Sequence, residues 1–131
     1  MNKSQELIDE LICAYWMEME TIQNYISNAN NLDGVRAEEI KKALSTDILA
    51  ELGHAQALAK RIRVLGGRVP GSMDFRAIQK TLQPPAISTD VVAVIRGVLD
   101  AEDSAINQYQ KIIKLAEGFD YPTQDLCIQL L

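Results

Sequence analysis

Residues 48–55 read Ile48-Leu-Ala-Glu51-Leu-Gly-His54-Ala55 and lie inside the longest helical pattern of the chain. Apolar residues recur there at Leu44, Ile48, Ala55, Leu58, Ile62 and Leu65, in steps of four and three or their sums, as a helix with one buried stripe requires. Glu51 stands on that stripe where a leucine would be expected. His54 follows three residues later, about 60° around the helix, so both side chains leave neighbouring points of one face. A buried carboxylate is costly unless something pairs with it. Glu-x-x-His also aims one carboxylate oxygen and one imidazole nitrogen at a common point, a spacing that holds metal ions. Taken alone the spacing is better read as a surface pair at the edge of a core. The other carboxylates decide.

The pattern around Glu51 predicts helix B from about Val35 to Leu65, stopped by Gly66-Gly67. Upstream, Ile8, Leu11, Tyr15, Glu18, Ile22, Tyr25 and Ala29 form the stripe of helix A, from about Ser4 to Asn31. Glu18 again takes a core position, whereas Glu20 falls on the opposite face and reads as a solvated charge. Downstream, Ser88-Thr89-Asp90 is an N-cap cluster for helix C, which runs to Gly118. Its inner face is expected to hold Val91, Ile95, Val98, Ala105, Tyr109, Ile112 and Ala116, with Glu102 at the centre. Helix D starts near Asp120-Tyr-Pro122-Thr123, with Pro122 in its first turn. Between helices B and C, residues 66–87 carry Pro70, Gly71, Pro84 and Pro85 without a period. They are read as a long crossover with one short turn around Phe75–Leu82.

An internal repeat joins these elements. Glu18…Ile22…Tyr25 and Glu102…Ile106…Tyr109 share one spacing, so A–B and C–D read as related helical hairpins. The chain, 1–131, is therefore read as one all-α domain, a four-helix bundle with a long crossover and an incomplete fourth helix. Three helices place a glutamate mid-stripe. Unpaired, three such carboxylates would repel one another and be pushed toward protonation, so a shared cation is implied. Oxygen-rich donors with one imidazole suit iron or manganese and lack the thiolates of structural zinc.

Composition narrows the partners. A formal net charge of −5 and a pI near 4.8 argue against a nucleic-acid surface. Lys60, Arg61 and Arg63 close a helix whose dipole favours cations there. No apolar run approaches the roughly 20 residues needed to span a bilayer, and no signal peptide precedes helix A, so a cytoplasmic chain is expected. Cys13 and Cys127 form neither a ligand nor a redox spacing and are read as reduced packing residues.

Glu18…Tyr25, Glu51-x-x-His54 and Glu102…Tyr109 together resemble the ferritin-like di-iron carboxylate superfamily, bacterioferritin above all, along the whole chain. The resemblance implies a ferritin-like bundle that oxidises Fe(II) with O₂ or peroxide, a ferroxidase-type oxidoreductase serving iron handling or storage. It implies Glu18 and Glu102 as terminal iron ligands, Glu51 as a bridging carboxylate and His54 as the imidazole on the iron that Glu18 binds. Tyr25 resembles the tyrosine kept beside such sites. A homodimer built on helices A and B, within a larger shell, is implied as well. Two departures stand out. Leu52 occupies the place of the methionine that ligates haem in bacterioferritins, which argues against haem. The second Glu-x-x-His, due on helix D, is absent.

Helix lengths bear on that absence. Seventeen residues separate Gly34 from Glu51, so helix D is expected to return to the level of Glu102 about seventeen residues past Gly118, near position 135. The sequence is accordingly expected to be a fragment whose continuation carries the missing ligands. The rival readings are a rubrerythrin-like peroxide reductase, disfavoured without Cys-x-x-Cys, and a metal-free helical interaction module with a degenerate site. A DNA-protecting mini-ferritin fits the acidic balance less well.

Overall fold

Asn2 opens the first helix by accepting the backbone N–H of Gln5 at 2.8 Å, which satisfies one of the donors a helix start leaves free. The computed structural model describes residues 2–131 and contains four α-helices: α1 (Lys3–Asn31), α2 (Ala37–Val64), α3 (Val91–Ala116) and α4 (Tyr121–Leu130). No strand occurs among the described residues, and the architecture is the expected all-α bundle. α1 packs against both α2 and α3, and α3 against α4. The α1–α2 hairpin turns at Gly34, whose φ of +99° is ready for glycine and strained for other residues. Asp90 and Asp120 cap α3 and α4 by accepting the N–H of Ala93 and Thr123, each at 3.1 Å.

α4 is ten residues long and is fastened at its start. Arg61 on α2 donates to Thr123 Oγ1 at 2.8 Å and to Asp120 at 3.0 Å. A planar guanidinium bridging two elements holds both in register. Arg61 thus ties two helices, a contact the dipole reading of the basic cluster did not include. Arg63, by contrast, does close α2, donating to the carbonyl of Gly67 at 2.8 Å.

The hydrophobic core is split in two. One cluster gathers Leu7, Leu11, Ala14, Leu58, Ile62, Tyr109, Ile112 and Cys127; the other gathers Tyr25, Ala29, Leu44, Leu82, Val94 and Ala101. On α1, Glu18 lies between Ala14 and Tyr25, and on α2, Glu51 lies between Leu44 and Leu58. The gap between the clusters is therefore polar, and it falls at mid-height.

The crossover corrects three expectations. Its only helical piece is a 3₁₀ turn at Ser72–Asp74, and the stretch 75–82 is extended or bent rather than a turn of helix. It is held from outside by α1. Glu20, expected to be solvated, is 3% exposed, and its carboxylate accepts the N–H of Ile78 at 3.0 and 3.1 Å and that of Gln79 at 2.9 Å. The Asn24 amide donates to Gln79 Oε1, Gln79 donates to Thr21 Oγ1, and Asn28 donates to the Leu82 carbonyl. The back of α1 is polar because it supplies hydrogen-bond partners to a segment with no secondary structure of its own. Trp16 on the same side packs on Phe75, their ring centres 4.8 Å apart. Trp16 is thus partly covered within the chain, and Leu7 lies fully in the core.

The third correction concerns α3. Tyr109, Ile112 and Ala116 are buried as expected, but in the first half the buried residues are Val94, Gly97 and Ala101, while Ile95 is 41% exposed. The crossover presses on this half: a Cβ at Gly97 would stand 2.5 Å from the Thr81 carbonyl oxygen. Only glycine admits that approach, so the helix turns Gly97 rather than Ile95 inward.

Replacing Glu20 by alanine leaves the Ile78 and Gln79 N–H groups without their charged acceptor, and urea denaturation should show a loss of about 2 kcal/mol. An unchanged midpoint would mean that the crossover holds without this carboxylate.

Candidate metal centre

Glu18 comes from the middle of α1 and Glu51 and His54 from the middle of α2, and the hairpin brings them level. One ligand atom from each lies within 4.8 Å of the others. His54 Nδ1 stands 3.6 Å from Glu18 Oε2 and 3.6 Å from Glu51 Oε2, ion-pair reach rather than hydrogen-bond distance. Glu18 is buried; Glu51 and His54 are half-buried. Its other oxygen, Oε1, accepts the hydroxyl of Tyr109 at 2.7 Å, whereas Oε2 is buried with no hydrogen-bond partner. A buried carboxylate oxygen left in that state is costly, and a cation beside it removes the cost.

The three side chains share a cavity of about 240 Å³ with Met17, Thr21, Tyr25, Ala105 and Tyr109, and Leu130 and Leu131 also line it. Glu102, expected at the centre of the inner face, lines this cavity but is exposed and stands outside the three-residue cluster. The turn of α3 that buries Gly97 and Ala101 carries Glu102 to the open side of the cavity. Tyr25 is buried in the cavity wall. The residue that the sequence undervalued is Tyr109. The repeat made it the counterpart of Tyr25, but nothing in the pattern showed that its hydroxyl would reach across to Glu18.

The electrostatics follow from these positions. Burial acts to raise the Glu18 carboxyl, yet its pairing with neighbouring groups, His54 first, outweighs burial and holds the group below the usual range. Pairing with Glu18 and then Glu51 lifts His54 to about 10. Burial, with the adjacent Glu18 charge, pushes Glu51 up to about 7 despite His54. Burial first, then the surrounding carboxylates, hold the Tyr25 and Tyr109 hydroxyls well above the usual tyrosine value. In the metal-free protein these shifts favour an ionised Glu18 and a protonated His54, and make Glu51 take up a proton more readily than a free carboxylate.

Two carboxylates and one imidazole around a buried, unpaired oxygen form a donor set that fits one hard to borderline cation such as Fe(II) or Mn(II). The class so defined is a helical bundle with a carboxylate–histidine centre between two halves of its core. Comparison with known proteins agrees with it. Residues 8–131 match the ferritin-like domain family, and the chain belongs to that family. It is 29% identical over 133 residues to the DNA protection during starvation protein of Pyrococcus furiosus, spanning 97% of this chain and 70% of that protein. A ferritin-like, diiron-carboxylate protein from Bacillus anthracis superposes with a TM-score of 0.81 at 25% identity, covering 99% of this chain and 86% of its own. The dodecameric thioferritin of Bacteroides fragilis, a bacterioferritin-related protein, gives 0.78 at 26% identity, with 98% and 77% covered.

Metal binding needs His54 and Glu51 without their protons, so affinity must rise with pH. For Mn(II) titrated between about pH 6 and pH 8, the dissociation constant should fall by about tenfold per pH unit or more, since one to two protons are displaced. A constant independent of pH would show that these groups are not ligands. Tyr109→Phe removes the hydrogen bond that fixes Glu18 and should weaken metal binding by about 10–100-fold with the fold retained.

Proposed function

We propose that the chain is a di-iron carboxylate protein that oxidises Fe(II) with O₂ or peroxide, handling or storing the iron it takes up. The observation that carries this reading is the buried, unpartnered Glu18 Oε2 facing Glu51 and His54. Glu18, Glu51 and His54 would hold one Fe(II), and Glu51 with Glu102 would serve a second from the open side of the same cavity. Manganese suits the same donors. Fe(II) is the substrate here. Two Fe(II) each give up one electron, the O–O bond of peroxide breaks, two protons are taken up and two waters leave.

The chain's own groups prepare that exchange. Tyr109 fixes one oxygen of Glu18 and turns the other into the cavity. The two apolar clusters above and below limit water around the cluster, which strengthens its electrostatics. Protons released by His54 and Glu51 when a metal enters are available for the reduction of peroxide. Tyr25 is proposed as the redox-active side chain of the site, because its ring forms a cavity wall beside all three ligands.

Membership of the ferritin-like family and the diiron-carboxylate neighbour support iron over other cations. A dodecameric neighbour supports assembly beyond the monomer. The faces proposed to meet in a homodimer are those of α1 and α2. Ile26, Leu49 and Leu52 are exposed there, Leu49 and Leu52 on the side of α2 roughly opposite His54. Leu52 in place of a sulfur ligand argues against haem at that interface. A nucleic-acid partner is not part of the reading, given the net charge of −5. No helix is long and apolar enough to cross a membrane among the described residues. A cytoplasmic site of action is proposed with the rest.

Anaerobic Fe(II) titration tests the reading. The wild-type chain should bind iron and consume peroxide at about two Fe(II) per peroxide, and Glu51→Ala should bind about tenfold less tightly or worse. Equal iron content in the two proteins would count against Glu51 as a ligand, and no iron uptake by the wild-type chain would favour the metal-free interaction module. Sedimentation at micromolar concentration should show a dimer or larger; a monomer alone would remove the assembly.

A further inference from the structure

Among the described residues, Met17 lines three separate cavities. It stands in the wall of the 240 Å³ cavity that holds Glu18, Glu51 and His54. On its other sides it borders a groove of about 300 Å³ behind α1, beside Trp16, Cys13 and Arg76, and a hollow of about 150 Å³ beneath the crossover, beside Thr81 and Gly97. Its neighbour in sequence is the buried ligand candidate Glu18, and it is only 9% exposed itself. A thioether therefore borders the metal cavity and both neighbouring hollows.

We propose that Met17 is an oxidation site built into the metal cavity, its sulfur taking an oxygen atom from peroxide that enters to meet Fe(II). The proposal rests on reading the cavity as an Fe(II)–peroxide centre. A sulfur lone pair attacks one peroxide oxygen, the O–O bond breaks, and the second oxygen leaves as water. Sulfur is oxidised by two electrons to the sulfoxide, and peroxide is the oxidant consumed. Solvent access alone predicts a different target. Met73 is 96% exposed and Met17 is nearly buried, so peroxide in bulk water reaches Met73 first. Met19, two residues from Met17, is half-buried and lines none of the three cavities, which makes it an internal control. Oxidation would also have a structural consequence. A polar sulfoxide in place of an apolar thioether, at a point shared by three cavities, favours water there and opens the site toward the groove behind α1.

Fragment mass spectrometry that assigns oxygen atoms to individual methionines tests this. Protein with and without bound Fe(II) is treated with substoichiometric peroxide, iron content is measured in each sample, and Glu51→Ala and Met17→Leu are run alongside. Without metal, Met73 sulfoxide should exceed Met17 sulfoxide. With Fe(II) bound, the Met17-to-Met73 ratio should rise about tenfold or more, and Glu51→Ala should abolish the rise. Met17→Leu conserves volume, so it should still bind iron, and its α1 peptide should gain no iron-dependent oxygen. Bound iron and consumed peroxide with an unchanged ratio, or an adduct that moves to Met19, would overturn the proposal and leave the metal centre standing. Wild-type protein that takes up no iron would remove the metal centre and this proposal together.

Discussion

Glu18 places a carboxylate in the middle of a helical core, 4% exposed, and the neighbouring structure is arranged around that charge. One oxygen is held by the Tyr109 hydroxyl, and the other is left without a hydrogen bond, 3.6 Å from His54. The core cannot be continuous across such a group, because apolar packing against an ionised oxygen would strand it. It is divided into two clusters instead, with α2 contributing Glu51 and His54 to the same level. Pairing with His54 compensates Glu18 in the metal-free protein, and the raised proton affinity of Glu51 relieves the remaining repulsion. Such a cluster resembles a metal site with protons standing in for the metal.

The other side of α1 meets a second constraint. A crossover of some twenty residues with one 3₁₀ turn as its only helix exposes backbone donors and acceptors that need partners. Glu20, Thr21, Asn24 and Asn28 supply or organise them. α1 therefore carries two inward-facing carboxylates with opposite tasks. Glu18 faces a cavity and keeps one oxygen unsatisfied, whereas Glu20 faces the crossover and is fully engaged by two backbone N–H groups. Met17 borders the metal cavity as well as the groove on the other side of α1 that Trp16 lines.

The helices, their order and the long crossover were legible because hydrophobic period, caps and glycine stops are local properties. Glu18, Glu51 and His54 were legible for the same reason: a charged residue on an apolar stripe is visible without a structure. Glu20 was misread because its burial depends on a segment nearly sixty residues away in sequence, which no helical period records. The face of α3 was misread by about one residue at its first half, since Gly97 has no side chain to mark a buried position and the crossover selects it by close approach. Glu102 moved to the cavity rim for that reason. Tyr109 was noticed through the repeat, but its bond to Glu18 depends on how α3 packs across α1. Local pattern identified the residues that differ from a simple core; long-range packing determined what each one touches.

The central claim is that Glu18, Glu51 and His54 together hold a metal ion between the two halves of the core. Anomalous diffraction at the iron edge, from crystals loaded anaerobically with Fe(II), tests it most directly. An anomalous peak bonded to Glu18 Oε2, Glu51 and His54 Nδ1 is the expected result. Iron-loaded crystals with no peak in that cavity, or with peaks only at surface carboxylates, would contradict it.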